Sequence, residues 1–148
     1  MVTGAAGFIG RRLVQRLLGE GKRVVAFDIV ACPESLAEQE LLDWIQGDIT
    51  AYGNVQSAIN SCRTVFHLAA MVSVPASVEN PKRCFEINTR GTQLVLQHAS
   101  MLDVRRVLFA ASSSAYGPHA AIPSTESMTP DPASPYAESK IAGEDATL

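Results

Sequence analysis

The 148-residue chain is 47% hydrophobic and 18% charged, enough to bury one substantial core and too short for two complete domains. A formal net charge of -3, with Lys and Arg scattered singly or in pairs, gives no basic stripe and excludes nucleic acid as the expected partner. Cys32, Cys62 and Cys84 are odd in number and widely spaced, so they read as reduced thiols; no apolar run approaches a membrane span and no basic segment leads into a long apolar core, so the expectation is a cytoplasmic protein.

Taken in chain order, short β-branched or apolar runs alternate with helical patterns. Met1 to Thr3 reads as the end of a strand, and Ile9, Leu13, Val14, Leu17 and Leu18 make one face of a helix that Gly19 and Gly21 end. Val24 to Phe27 is a buried-strand run closing on Asp28. A helical stretch through Leu41 follows, then a strand from Trp44 to Gly47 leading into Asp48, with Trp44 in the core. Val55 to Ile59 is weakly helical, Thr64 to Leu68 a strand, Glu79 to Leu102 a long helix interrupted only at Gly91, and Arg106 to Ala111 a fifth strand. Five of the eight prolines fall between Pro118 and Pro135, which predicts an irregular loop; Ser134 then caps a helix whose first position is Pro135. Strands alternating with helical crossovers predict an α/β fold, a doubly wound parallel sheet with helices on both faces.

Three features carry chemistry. Thr3 to Gly10 places Gly4, Gly7 and Gly10 between a strand and a helix, where absent Cβ atoms let backbone approach a pyrophosphate and helix N–H groups meet the anion; a tight turn without a ligand would use the same glycines. Asp28 ends the second strand close to the ~20-residue spacing at which an acid meets the ribose diol, and its charge disfavours a 2′-phosphate; it could also cap a helix. Tyr136 and Lys140 lie four apart on one helix face, so their head groups can share a pocket, as they could equally share a solvated surface. A phenol becomes a useful base at neutral pH when a nearby cation favours its anion. His67, His98 and His119 have no common spacing for a metal, and His67 at a strand end reads as a local packing or hydrogen-bonding residue.

Together these pieces resemble the extended group of the short-chain dehydrogenase/reductase family, and the resemblance covers essentially the whole chain. The turn is of the TGxxGxxG form and the later helix carries YxxxK. Gly47-Asp48-Ile49, His67-Leu68-Ala69-Ala70, Asn88-Thr89-Arg90-Gly91-Thr92 and Ser112-Ser113-Ser114-Ala115-Tyr116-Gly117 follow in the group's order. The resemblance implies a Rossmann-type fold with NAD as cofactor, and the histidine and cysteine spacings point to no metal. It implies that Gly4, Gly7, Phe8, Ile9 and Gly10 hold the pyrophosphate, Asp28 the adenosine ribose, and that Asp48 and Ile49 flank adenine. Leu68, Ala69 and Ala70 would line the path to the nicotinamide ribose. Tyr136 would be the base, Lys140 would bind that ribose and tune Tyr136, and Ser112 would bond the reacting hydroxyl. Asn88 and Gly91 would be structural, Gly91 by allowing close helix packing, while Ile87 stands where some relatives place a polar residue.

The serine motif narrows the activity that the resemblance implies. Sugar-nucleotide 4,6-dehydratases of this group place an Asp-Glu pair directly after the residue matching Ser112, because elimination of water needs a separate acid and base. Ser113 and Ser114 stand there instead, which favours a nucleotide-sugar 4-epimerase, with a 3β-hydroxysteroid-dehydrogenase-like oxidoreductase or a catalytically silent NAD-binding module as alternatives. The resemblance further implies a homodimer when complete. It also frames an expectation about extent: an NAD-binding domain over residues 1–148, short at its first strand and ending within the YxxxK helix, whose substrate domain is missing. Such a chain alone would bind cofactor weakly, turn over no sugar nucleotide and self-associate through the exposed strand Arg106 to Ala111.

Overall fold

In the computed structural model, which describes residues 1–147, five parallel strands form one sheet. They are β1 (Val2–Thr3), β2 (Val24–Asp28), β3 (Leu42–Gln46), β4 (Thr64–His67) and β5 (Arg106–Phe109), in the spatial order β3-β2-β1-β4-β5. Val2 pairs with Ala26 on one side and Phe66 on the other, so β1 is central. The chain order reverses across β1, and the crevice at such a switch point is where doubly wound sheets bind ligands. The doubly wound parallel sheet expected from the alternating pattern is therefore present.

Both sheet faces are covered, as parallel strands require. Helix α1 (Phe8–Gly19) and a single 3-10 turn at Glu34–Leu36 cover one, closing a cluster of Val2, Ala5, Val14, Val24, Ala26 and Leu36. Helices α2 (Tyr52–Ile59) and α5 (Gly91–Met101) cover the other, over Phe27, Ile49, Val55, Ile59, Val65, Leu94 and Val95. Helices α3 (Val74–Glu79), α4 (Pro81–Phe85) and α6 (Pro135–Asp145) pack together at the strands' C-terminal end.

Several expectations are corrected. The stretch before Leu41 is not a helix: Pro33 precedes only one 3-10 turn, and Leu36 alone is buried there, so no apolar stripe exists to hold more turns. The long helix from Glu79 is three α-helical segments and one π turn. Its first segment starts earlier, at Val74; Asn80 then ends α3 and caps α4 by accepting from the Arg83 amide, with Pro81 at the first helical position. A π-helical turn, Glu86–Arg90, joins α4 to α5, so Gly91 interrupts nothing. Gly91 does serve close packing, since a Cβ there would meet Ile49 Cγ2 at 2.9 Å. Trp44 is half-buried rather than core and donates from Nε1 to the Val30 carbonyl at 3.2 Å. Ile9 leaves the apolar face of α1 and is 65% exposed, because it faces a cleft instead of the sheet.

Candidate functional site

A cleft of about 930 Å³ runs along the C-terminal ends of β1, β2 and β4. Its floor is the turn between β1 and α1. Gly4 has φ +65° and a Cβ there would lie 2.8 Å from the Ala69 amide nitrogen, while a Cβ on Gly10 would lie 2.0 Å from the Gly4 carbonyl oxygen. Only glycine fits both positions. Gly7 stands at the N-cap of α1 and gives it no side-chain cap, and the first turn of the helix holds no acidic residue. Helix geometry leaves the N–H groups of Phe8, Ile9 and Gly10 without intrahelical acceptors, as a phosphate site requires.

The acids at the rim are already engaged. Asp28 Oδ2 accepts from the Ala6 amide at 2.9 Å and Oδ1 from the Val30 amide at 3.2 Å, which ties the end of β2 to the glycine turn. Asp48 accepts from the Thr50 amide and hydroxyl, each at 2.8 Å, and from Arg83 at 3.1 Å. Burial alone would raise Asp48, but the Thr50 bonds and the Arg83 guanidinium outweigh it and hold the carboxyl below its ordinary value. Arg83 also meets Glu86 at 2.9 Å, one turn along its own helix.

The far end of the cleft belongs to α6. Ser134 caps it by accepting from the Ala137 amide at 3.1 Å. Tyr136 and Lys140 both line the cleft from one helix face. Lys140 is 4% exposed and its ammonium sits 4.0 Å from the centre of the Phe109 ring. Burial lowers the amine to about 8, and Glu144 only partly restores it. Among the described residues that ammonium forms no hydrogen bond or ion pair, only the contact with Phe109, so it is available to a ligand hydroxyl. Asn88 anchors this end: it donates to the Met71 carbonyl at 3.1 Å and to Ser139 Oγ at 2.9 Å, and accepts from the Met71 amide at 2.8 Å.

The structure thus brings together nearly all the expected residues. Gly4, Gly7, Phe8, Ile9, Gly10, Asp28, Asp48, Ile49, Leu68, Ala69, Ala70, Tyr136 and Lys140 line one cleft. Ser112 does not line it; its hydroxyl lies 2.8 Å from Ser114 Oγ and caps a short 3-10 turn at Ser113–Tyr116. Sequence reasoning missed Arg83, Met71, Val72, Ile29 and Val30 as lining residues. The apolar pair after Asp28, 62% and 48% exposed, carried a signal as an unprotected extension of a buried strand. Arg83 carried none, because its partner Asp48 is remote in sequence.

An uncapped helix behind a glycine cradle at one end and an unpaired buried cation at the other fit a dinucleotide with its pyrophosphate at α1. Residues 1–148 match the sequence pattern described as the NAD dependent epimerase/dehydratase family. The chain belongs to that family. Among the family's curated members it is 37% identical to the UDP-glucose 4-epimerase of Mycolicibacterium smegmatis, covering 97% of this chain and 48% of that protein. Among solved structures it is similar to MoeE5 in complex with UDP-glucose and NAD, at 37% identity and a TM-score of 0.87, over 98% of this chain and 46% of that one. It is also similar to DesIV, a dTDP-glucose 4,6-dehydratase from Streptomyces venezuelae with NAD and TYD bound, at 30% identity and a TM-score of 0.90, over 98% of this chain and 49% of that one. The chain spans about half the length of these family members.

Proposed function

We propose that residues 1–148 supply the NAD-binding side of a nucleotide-sugar 4-epimerase, in which a sugar hydroxyl is oxidised and then re-reduced. The observation that carries this reading is that Tyr136 and Lys140 open on the same cleft as the phosphate cradle of Gly4, Gly7 and Gly10. NAD supplies a hydride acceptor and, once reduced, a hydride donor. The chain's own groups do the rest. Phe8, Ile9 and Gly10 amides bind the pyrophosphate, Asp28 accepts from the adenosine ribose, and Asp48 and Ile49 flank the adenine. Leu68, Ala69 and Ala70 exclude water along the path to the second ribose.

Tyr136 takes a proton at its phenol oxygen when the sugar hydroxyl is oxidised and returns it on reduction. Lys140 donates to the ribose hydroxyls from the helix face that it shares with Tyr136. Ser112 orients the reacting hydroxyl once its own hydroxyl leaves Ser114. Ser113 and Ser114, which follow Ser112, favour epimerisation over dehydration, and the carboxylates among the described residues lining the cleft, Asp28 and Asp48, are both held by protein donors. A homodimer and a cytoplasmic setting belong to the same reading.

Incubating the natural full-length protein with UDP-glucose and NAD tests it. UDP-galactose without net NADH is the expected result. Net NADH without an epimer would instead indicate an oxidoreductase, a dehydrated keto sugar a dehydratase, and NAD binding without any turnover a silent module.

A further inference from the structure

Thr3, His67, Thr92 and Asn88 form a buried hydrogen-bonded chain that the chemistry above does not use. His67, at the end of β4, is 2% exposed. Its Nδ1 lies 2.8 Å from Thr3 Oγ1 and its Nε2 lies 3.0 Å from Thr92 Oγ1. The protons in this chain are ordered from both ends. Thr92 donates its one hydroxyl proton to the Asn88 carbonyl at 2.6 Å, so Nε2 must donate to Thr92. At the other end Thr3 Oγ1 accepts from the amides of Leu68 and Ala69, each at 3.1 Å, which fills its acceptor capacity. Its proton is left for Nδ1, which must accept. The ring is therefore neutral and carries its proton on Nε2. Burial, and secondarily the Lys140 cation, lower His67 to about 3, in agreement.

What the ends of this chain hold gives it a purpose. Residues 68–71 cross the cleft outside any strand. Thr3 holds the first two amides of that segment, and Asn88 holds Met71 through both backbone groups. Asn88 also reaches Ser139, which donates to the Tyr136 carbonyl at 2.7 Å and precedes Lys140 directly. His67 links the two holds.

We propose that His67 is a positioning residue: as the Nε2–H tautomer it joins the strand before the glycine turn to Asn88, and so sets the phosphate cradle relative to the Tyr136–Lys140 face of α6. Its functional meaning rests on the cleft being the NAD site. Its structural content does not.

Long-range ¹⁵N–¹H spectra of the imidazole read the tautomer directly. Nδ1 should appear as an acceptor and Nε2 as the protonated nitrogen, unchanged between about pH 8 and about pH 5, where an ordinary histidine titrates. A protonated Nδ1, or titration in that range, overturns the proposal. Amide hydrogen exchange then separates coupling from local packing. In His67→Leu, exchange should rise ~10-fold or more at Leu68, Ala69 and also Met71, with NAD affinity falling by a similar factor. His67→Gln, which keeps a donor towards Thr92, should partly restore Met71. Faster exchange at Leu68 and Ala69 alone, with Met71 and NAD affinity unchanged, reduces His67 to local packing and overturns the coupling. Should His67→Leu not fold, Thr92→Val removes the same link with little change of shape and is read at Met71 in the same way. A wild-type protein that binds no NAD would refute the proposed function, while the tautomer and the Met71 exchange would still decide the role of His67.

Discussion

Lys140 and Phe109 form a cation–π contact, with the ammonium 4.0 Å from the ring centre and the lysine 4% exposed. The contact compensates only part of the cost of taking the charge from water, so burial still lowers the amine to about 8. Between that value and the ordinary lysine range the unfolded chain binds more protons than the folded one, so the Lys140 contribution to stability rises with pH from about 8 upwards. Below about 8 the buried charge is a standing penalty. Lys140→Met should therefore stabilise the cofactor-free protein by about 1–2 kcal/mol at neutral pH, the usual scale of relief at a strained functional site, and flatten its pH dependence above 8. The same change should weaken NAD binding. Thermal melts of both proteins across this pH range check the first part, and a variant that melts lower at pH 7 would contradict it.

Tyr136→Phe deletes a proton acceptor while leaving the ring's contacts in the cleft. Turnover of the natural full-length enzyme should fall by ~10²–10⁴-fold, the usual share of acid–base catalysis, with NAD affinity almost unchanged. Steady-state kinetics alongside a cofactor titration measures both, and substantial residual turnover would remove Tyr136 from the role of base.

Asp28 presents its charge where an adenosine ribose would lie, and both of its oxygens already accept from backbone amides. NAD should bind in preference to NADP. Asp28→Asn removes the charge that opposes a 2′-phosphate and should narrow that preference by roughly tenfold, about 1.4 kcal/mol. It should also weaken NAD itself, because the amide supplies one acceptor oxygen in place of two. Parallel titrations with the two cofactors decide the point, and equal or tighter NADP binding by the wild type would sink it.

Two glycines provide opposite controls. In Gly10→Ala the new methyl would meet the Gly4 carbonyl oxygen at 2.0 Å, so the turn must open. A loss of about 2–4 kcal/mol of stability and of measurable NAD binding is expected, in the range of backbone-clash substitutions. Gly53 lies in the first turn of α2, and a methyl added there would meet nothing within 4 Å. Gly53→Ala should stabilise by about 0.5–1 kcal/mol through the unfolded state and leave cofactor binding unchanged. Chemical denaturation of both variants provides the comparison.

Wherever a local rule governs, the sequence was sufficient. Apolar period and glycine placement located the five strands, α1 and the turn between β1 and α1, because buried parallel strands and phosphate turns leave a signal within a few neighbouring residues. The Ser134–Pro135 start of α6 was legible for the same reason: a cap acts over one turn. The four-residue spacing of Tyr136 and Lys140 also told that they share a face. It did not tell that the face meets the cleft. That depends on Asn88 holding Ser139 and Met71, contacts between residues far apart in the chain.

The remaining features were decided by packing. The division of the long helix at Asn80 and through the π turn at Glu86–Arg90 aims Asn88 inward, where it meets Met71 and Ser139. Arg83 became part of the cleft only because the loop after β3 brings Asp48 to it. Ile9, apolar and in helical phase, reads locally as core, yet it is exposed in the first turn of α1 and lines the cleft. Sequence pattern thus determined the elements and the chemistry each could carry, since those follow from spacing along the chain. Which groups meet, and which charge is buried, was set by tertiary contacts, because hydrogen bonding and desolvation depend on distance in space and not on separation in sequence.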